Sequence, residues 1–574
     1  MPRILGMRRL TTLVVSLLLV PLAGCSGGSA GTAATTAPLD GGTGGPGPVP
    51  GLHVDTGIVA SGVASGASCG ALREGRSYDV TITSESGKDI AFTVHEPAWL
   101  DDCTKTPLIL HSHGFGLNRA HRRVDLPDNI PLMDVLWDVT PYLRDGYGVI
   151  SIDERGFGQS TGTSRVMDPD FEGRDLVRIL DWAEDHLPWL AYRDRNLLLG
   201  AIGGSYGGGY QLLLLRTDPK RRLDAIVPQI TWYDLTYSLA PGGVPKTTYT
   251  LLLTVAAEAW GFRFDPEFFG AVVDGLAQNQ LPEATNDALL YHSPRYACEG
   301  MALPGHPAAD PLPRIDALFL QGMADALFDV NEGVANYECL RARGGDVRLY
   351  TYQFGHILPK DDSLIWPPPN SVDDLMRCGP LQEVAVELAW FDAKLRGNVH
   401  AIDDLPELCI ALDSAGDAIV PDSIHRGGTN VAFRSRAFSL DLLGNQPVEL
   451  PVYTARRNDV IAGIPTARFH TAAATGFPES GDPRVFVGIG IKRADSARTV
   501  LIDDQVRPIR GFGDHDVELN AIGERLHAGD QLMLLVYGYN YGYFLTGTRN
   551  PFTSPLVVSG EVGLPMLGAV PTYR

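Results

Sequence analysis

At 574 residues the chain exceeds what one ordinary hydrophobic core supports, so two or three domains are expected. A net charge of −21, with no basic stripe able to neutralise phosphates, excludes nucleic acid as a partner. A hydrophobic content of 44% and a charged content of 20% are those of a folded globular protein.

Residues 1–25 open with Arg3, Arg8 and Arg9, continue through the apolar run Leu13 to Val20 and end in Leu22-Ala23-Gly24-Cys25. A basic segment, a short apolar segment and a small-residue cleavage site make a signal peptide rather than a structural helix. The last four residues match a bacterial lipobox, so Cys25 is the expected lipidated N-terminus of an exported protein held at a membrane surface. No other stretch reaches the ~20 apolar residues of a membrane span, which leaves the lipid anchor as the expected membrane contact. Residues 26–51, rich in Gly, Ala, Thr and Pro, bury too little apolar surface to order themselves and read as a flexible tether. An even number of cysteines after Cys25 in an exported chain points to disulfides, with Cys69 to Cys103 as the expected pair. None has the spacing of a zinc site, and no metal is expected.

From Tyr78 the pattern alternates, as in Tyr78 to Ile82 and Ile90 to Val94, and then gives the continuous apolar runs Pro107 to Leu110 and Tyr147 to Ile152. Helical stretches from Met133 to Asp145 and from Gly173 to His186 lie between and after them. Strands buried on both faces and separated by helices predict an α/β fold with a doubly wound, mostly parallel sheet. Two loops stand out. His111-Ser112-His113-Gly114-Phe115-Gly116 follows a strand end, where the Phe115 backbone N–H can serve as an oxyanion donor. Asp153 and Arg155 sit in a Gly-rich loop and are expected to clamp it as a buried ion pair.

The stretch Asn196 to Arg216 runs from an apolar strand through Gly203-Gly204-Ser205-Tyr206-Gly207 into an apolar helix. This fits G-x-S-x-G, a strained turn that lifts a serine Oγ clear of a parallel strand, with the Tyr206 N–H as the other oxyanion donor. After Asp224 to Pro228 the strand pattern stops for about 85 residues, too long for a plain loop, and residues 232–313 read as a helical cap. Trp232, Tyr233 and Trp260 in it are candidates for lining a substrate pocket. The strand pattern returns at Asp316 to Gln321 and Val347 to Tyr352, whose end loops offer Asp325 and His356. Ser205, Asp325 and His356 then follow the chain order of a nucleophile, acid and base in α/β-hydrolases. Asp329 is the rival acid and lies farther from its strand end; His111, His113, His186 and His306 are the rival bases, none on a strand-end loop after the acid.

Gly204-Ser205-Tyr206, the 153–162 loop, Gly322-x-x-Asp325, Gly355-His356 and the helix Glu387 to Gly397 together resemble the serine hydrolases of the cocaine esterase and Xaa-Pro dipeptidyl peptidase type, from about residue 70 to the C-terminus. The resemblance implies an α/β-hydrolase domain at 52–231 and 314–400, the cap inserted at 232–313, and a C-terminal jelly-roll β-sandwich at 401–574. It maps the nucleophile to Ser205, the acid to Asp325 and the base to His356, with no cofactor. Cocaine esterase places a tyrosine side chain in its oxyanion hole, whereas this chain has His113-Gly114-Phe115 there, so a backbone donor is expected instead. Short strands such as Val485 to Ile491 and Gln531 to Tyr537 also point to a sandwich.

The expected function is ester hydrolysis on a small-molecule substrate, with Xaa-Pro dipeptidyl peptidase as the alternative and a non-catalytic binding lipoprotein as a remote one. A peptidase acting at a free N-terminus needs a carboxylate for the ammonium, for which Glu258, Asp265, Glu267 and Glu332 are candidates.

Overall fold

Apolar runs bounded by Gly, Pro and Asp become the strands of one ten-stranded sheet. In the computed structural model, which describes residues 69–121, 138–259, 262–356, 376–412, 416–440, 446–550 and 552–574, these are β1 (Ser77–Thr83), β2 (Asp89–His95), β3 (Leu108–Ser112), β4 (Gly148–Ile152) and β5 (Leu199–Gly204). They continue with β6 (Leu223–Gln229), β7 (Asp316–Gly322), β8 (Val347–Tyr352), β9 (Leu408–Ala411) and β10 (Ala418–Ile419). The spatial order is β10-β9-β8-β7-β6-β5-β3-β4-β2-β1. Pairing is parallel from β4 across to β9 and antiparallel at both margins. The chain divides into two units, Met1–Cys69 and Gly70–Arg574, and every described residue but Cys69 belongs to the second. The expected signal, Cys25 and tether lie outside the described residues, as does Trp260.

The period-two alternation of strand side chains divides the core. Leu108, Leu110, Ile150, Ile152 and Ala201 join the apolar cluster on one face; Ile109, Val149 and Ile202 join the cluster on the other. Helices cover both faces: α1 (Thr140–Arg144), α2 (Glu172–His186) and α3 (Tyr206–Thr217) come before the insertion. The insertion between β6 and β7 folds as α4 (Leu235–Leu239), α5 (Thr247–Ala259), α6 (Pro266–Gln278), α7 (Glu283–Tyr291) and α8 (Pro294–Cys298). After it, α9 (Val330–Arg341) follows β7 and α10 (Glu383–Phe391) follows β8. Trp390 and Phe391 on α10 are fully buried against the sheet.

The sheet extends beyond residue 400, where the sequence places the start of the C-terminal domain. Strand β9 pairs in parallel with β8, and β10 closes the edge, because Leu408 to Ala411 is a wholly buried run suited to a central sheet. The antiparallel domain follows. One sheet contains β11 (Thr429–Arg434), β14 (Thr466–Ala473), β18 (Gly513–Glu518) and β21 (Leu556–Leu564). The facing sheet contains β12 (Val448–Thr454), β15 (Arg484–Lys492), β16 (Thr499–Leu501), β17 (Arg507–Arg510) and β20 (Gln531–Tyr537). Strands β13 (Asp459–Gly463), β19 (Ile522–Leu526) and β22 (Met566–Gly568) form a third, smaller sheet. Phe469 and Val558 from one sheet meet Val487 and Leu534 from the other in a shared core, which makes this part a β-sandwich. Tyr537 and Tyr543 are packed into the domain, whereas Tyr541 is exposed.

Among the described residues no helix is long and apolar enough to cross a membrane. Disulfides join Cys298 to Cys339 and Cys378 to Cys409, and Cys69 and Cys103 are also disulfide-bonded. The Cys378–Cys409 bridge anchors β9 across 31 residues. Replacing both cysteines by serine is expected to lower unfolding stability by about 2–4 kcal/mol, read as a lower melting temperature and an earlier urea midpoint.

Candidate active site

Strand β5 ends at Gly204, and the chain reverses into α3 through Ser205, whose φ of 58° and ψ of −118° lie where side-chain-bearing residues are strained. Hydrogen bonds hold that conformation. Ser205 N–H donates to Gln229 O at 2.9 Å, and Ser205 O accepts from Gly208 N at 2.9 Å and from Thr231 Oγ1 at 3.0 Å. Glycine is required nearby, since a Cβ on Gly203, itself at φ 145°, would stand 2.6 Å from the Ser112 carbonyl oxygen.

The structure brings Ser205, His356 and Asp325 together. His356 lies beyond β8 with Nε2 2.8 Å from Ser205 Oγ and Nδ1 2.7 Å from Asp325 Oδ2. A carboxylate oxygen only accepts, so Nδ1 carries the ring proton and Nε2 presents its lone pair to the serine hydroxyl. Asp325, in the loop after β7, is fully buried, and its Oδ1 accepts from the N–H groups of Leu327 at 2.9 Å and Phe328 at 2.8 Å. The Phe328 ring stands edge-on to the imidazole, 5.1 Å between centroids. The rival acid, Asp329, instead caps α9 and accepts from Tyr237 and Asn520.

Tyr206 is the first residue of α3, so its N–H belongs to the helical turn without intrahelical acceptors. Its ring is committed to the core, where the hydroxyl meets Ser164 Oγ at 3.1 Å and accepts from Met167 N at 3.2 Å. Phe115, in the loop after β3, packs its ring edge-on to that of Tyr206 at 5.5 Å. The loop is braced by His113, whose Nδ1–H donates to Gly114 O at 2.8 Å and whose Nε2 accepts from Glu154 N at 3.1 Å. Burial lowers the pKa of His113 and pushes that of His111 down to about 3, so both stay neutral as structural residues. His186 is exposed and stacks on Trp182, and His306 stacks on Tyr291.

Two expectations are corrected. Asp153 and Arg155 are both buried but do not pair with each other: Asp153 pairs with Arg119, and Arg155 meets Asp175 through Nε at 2.8 Å and Nη2 at 2.7 Å. The turn closed by Phe157 N–H on Glu154 O separates the two side chains at the end of β4. Trp232, 2% exposed, is core rather than pocket lining; it fills the space left by Gly209 and packs on Phe328. Tyr233 reaches toward Glu299 on the cap, with its hydroxyl at 3.4 Å.

Residues distant in sequence also reach the two loops. Tyr249 of α5 donates its hydroxyl proton to the His356 carbonyl, and buried Lys246 donates through Nζ to Leu327 O at 2.9 Å. From the β-sandwich, Gln505 Nε2 donates to Met323 O and Asp325 O, both at 2.9 Å. The sequence carries no local signal for these residues, because each acts on a segment more than 70 positions away.

A serine on a strand-to-helix turn, joined through histidine to a buried carboxylate at the carboxyl ends of parallel strands, defines the α/β-hydrolase class. Residues 86–357 match the family model described as X-Pro dipeptidyl-peptidase (S15 family). A CocE/NonD family hydrolase from Staphylococcus aureus superposes with a TM-score of 0.55 over 86% of this chain and 93% of its own, at 12% identity. An alpha-amino acid ester hydrolase gives a TM-score of 0.54 over 89% of this chain and 100% of its own, also at 12% identity. A Mycobacterium bovis protein named as a candidate serine esterase is 28% identical over 192 residues, 31% of this chain and 27% of that protein. The chain thus spans about a quarter of the length of that curated relative. The fold is thus that of an α/β-hydrolase followed by a β-rich domain, and residues 86–357 are similar to the S15 family.

Glu154, beneath the loop that carries Phe115, is fully buried with Ser112 Oγ donating to it at 2.8 Å, and burial raises its pKa from 4.5 to about 8. The folded protein therefore keeps this proton between about pH 5 and 8 where the unfolded chain loses it, so the group costs stability as pH rises through that window. Glu154→Gln retains the neutral form. It is expected to raise the melting temperature at pH 8 and to change it little at pH 5.

Proposed function

We propose that the chain is an exported esterase that cleaves carboxylic esters by two-step acyl transfer through Ser205, His356 and Asp325. The observation that carries this reading is the unbroken hydrogen-bonded chain from Ser205 Oγ through the imidazole to a buried carboxylate. His356 Nε2 takes the hydroxyl proton as Oγ bonds to the substrate carbonyl carbon, while Asp325 holds the Nδ1–H tautomer and stabilises the imidazolium. The backbone N–H groups of Tyr206 and Phe115 receive the oxyanion, each such donor supplying about 3 kcal/mol. His356 then protonates the leaving alcohol, and water activated by the same imidazole releases the acid and frees Ser205. These steps draw on no metal or organic cofactor.

A second reading, Xaa-Pro dipeptidyl peptidase, is favoured by the family match. It calls for a carboxylate free to meet a peptide ammonium. Of the candidates, Glu332 is 2% exposed and accepts from the N–H groups of Tyr233 and Asp234, and Asp265 caps α6 and pairs with Arg165. The Glu258 side chain lies outside the described residues. Glu267 lines a cavity of about 290 Å³ with Phe268 and Tyr291, in which Ser205 takes no part. Among the described candidates, that distribution of carboxylates supports ester before peptide.

Ser205→Ala is expected to abolish labelling by a fluorophosphonate probe and to lower kcat on p-nitrophenyl esters on the order of 10⁶-fold; equal labelling of the variant would sink the assignment of Ser205, and a parent protein that takes no label would leave a binding lipoprotein as the reading. Short p-nitrophenyl esters are expected to be turned over faster than Xaa-Pro anilides, and the reverse preference would establish the peptidase. The anchor at Cys25 predicts that Cys25→Ala moves the protein from the membrane fraction to the soluble one.

A further inference from the structure

The loop carrying Asp325 lies beyond the end of β7, where sheet pairing no longer supplies donors for its carbonyl groups. Donors arrive from elsewhere: Gln321 Nε2 reaches Phe328 O at 2.6 Å, Lys246 Nζ reaches Leu327 O, and the single amide of Gln505 bridges Met323 O and Asp325 O. Gln505 is 3% exposed and follows a turn in which Asp503 and Asp504 both take positive φ, 52° and 58°. Two consecutive non-glycine residues in that region are a strained arrangement, held here in part by Gly523 N–H on Asp503 Oδ2 at 3.2 Å. The orientation of the Gln505 amide is settled by its neighbours. Its oxygen accepts from Asn520 Nδ2 at 3.1 Å, and the same nitrogen donates to Asp329 Oδ2 at 2.6 Å; a flipped amide would set its oxygen against two carbonyls. A second bridge lies alongside, since Asn331 Nδ2 donates to Leu519 O at 3.0 Å and Asn331 Oδ1 accepts from Ala521 N at 2.8 Å.

We propose that Gln505 is a positioning residue for Asp325, so that the C-terminal β-sandwich sets the geometry of the acid and through it the tautomer and charge of His356. The inference rests on the acyl-transfer reading of Ser205, His356 and Asp325. Gln505 touches neither substrate nor imidazole; it acts through the backbone on both sides of the acid. The charged groups around the loop are Lys246 from the insertion, Asp329 and Glu332 at the start of α9, and Arg507 of β17. A neutral replacement of Gln505 leaves all of them in place.

The test compares Gln505→Ala and Gln505→Met in the full chain, the latter keeping the length of the side chain without its donors. Both are assayed on p-nitrophenyl butyrate across pH, with thermal unfolding followed in parallel. The expected result is a fall in kcat on the order of tenfold or more at nearly unchanged KM. The acid limb of the kcat/KM profile moves to lower pH, because a displaced carboxylate stabilises the imidazolium less and its pKa drops. A residue that only joins two domains would lower the melting temperature and leave kcat and the acid limb where they were. That outcome in a folded variant overturns the proposal, and Gln505→Met decides the matter where Gln505→Ala does not fold. Ester hydrolysis that survives Ser205→Ala is a different result and overturns the acyl-transfer reading instead.

Discussion

The backbone at Ser205 is the constraint on which the rest of the structure turns. A serine at φ 58° costs on the order of 1–3 kcal/mol and persists only where its surroundings over-determine it. Here β6 supplies an acceptor for the Ser205 N–H through Gln229, the first turn of α3 supplies donors for its carbonyl, and Thr231 adds another. The Ser112 carbonyl at the end of β3 approaches Gly203 and Gly207 more closely than any side chain would permit. Three neighbouring strands therefore collaborate to hold one strained residue, and the result is an Oγ presented to His356 at the carboxyl end of the sheet.

The other half of the site is an electrostatic problem before it is a geometric one. The loop after β7 places Asp325 and Asp329 in the interior four residues apart, with Glu332 one turn on, and buried carboxylates are tolerated only when paired and hydrogen-bonded. Burial raises the pKa of Asp329 against the pull of Lys246 and Arg507, and Tyr237 and Asn520 complete its hydrogen bonds. Lys246 is itself buried, and desolvation lowers its pKa while Asp329, Asp325 and Glu332 raise it. Acid and cation thus offset one another across a boundary where the insertion, the hydrolase sheet and the β-sandwich all contribute a member.

Sequence reading reached as far as periodicity and local turns could take it. Runs such as Leu108–Ser112 and Gly148–Ile152 are buried along their whole length and announced a parallel sheet, and Gly203 to Gly207 announced the strained turn. Asp325 and His356 were legible as candidates because each follows a strand by a few residues, and the structure brings both to Ser205. What escaped was identity of partner. Asp153 and Arg155 look like a pair because they are two residues apart, yet a turn sends one to Arg119 and the other to Asp175. Trp232 looks like a pocket residue because it opens the insertion, yet the bare backbone of Gly209 creates a slot beneath α3 that the indole fills. The run Leu408–Ala411 looks like the start of a β-sandwich because helices end before it, yet its complete burial suits it to the central sheet, where it lies between β8 and the edge strand β10.

These successes and failures divide the site along a physical line. The nucleophile and its surroundings are built from β3, β5, α3 and the residues just beyond β6, a stretch of chain whose contacts are set mainly by strand pairing and a glycine turn. Such information is local and survives in a linear reading. The acid and base sit on loops that overhang the sheet, and their carbonyls are satisfied by Lys246 and Tyr249 from one side and by Gln505 from the other. Bonds from the flanking domains thus add to those the loop makes within its own domain, and the geometry of the acid draws on both. The reactive serine can be strained into place by its own sheet, whereas the proton relay that would activate it depends on parts of the chain with no sheet in common.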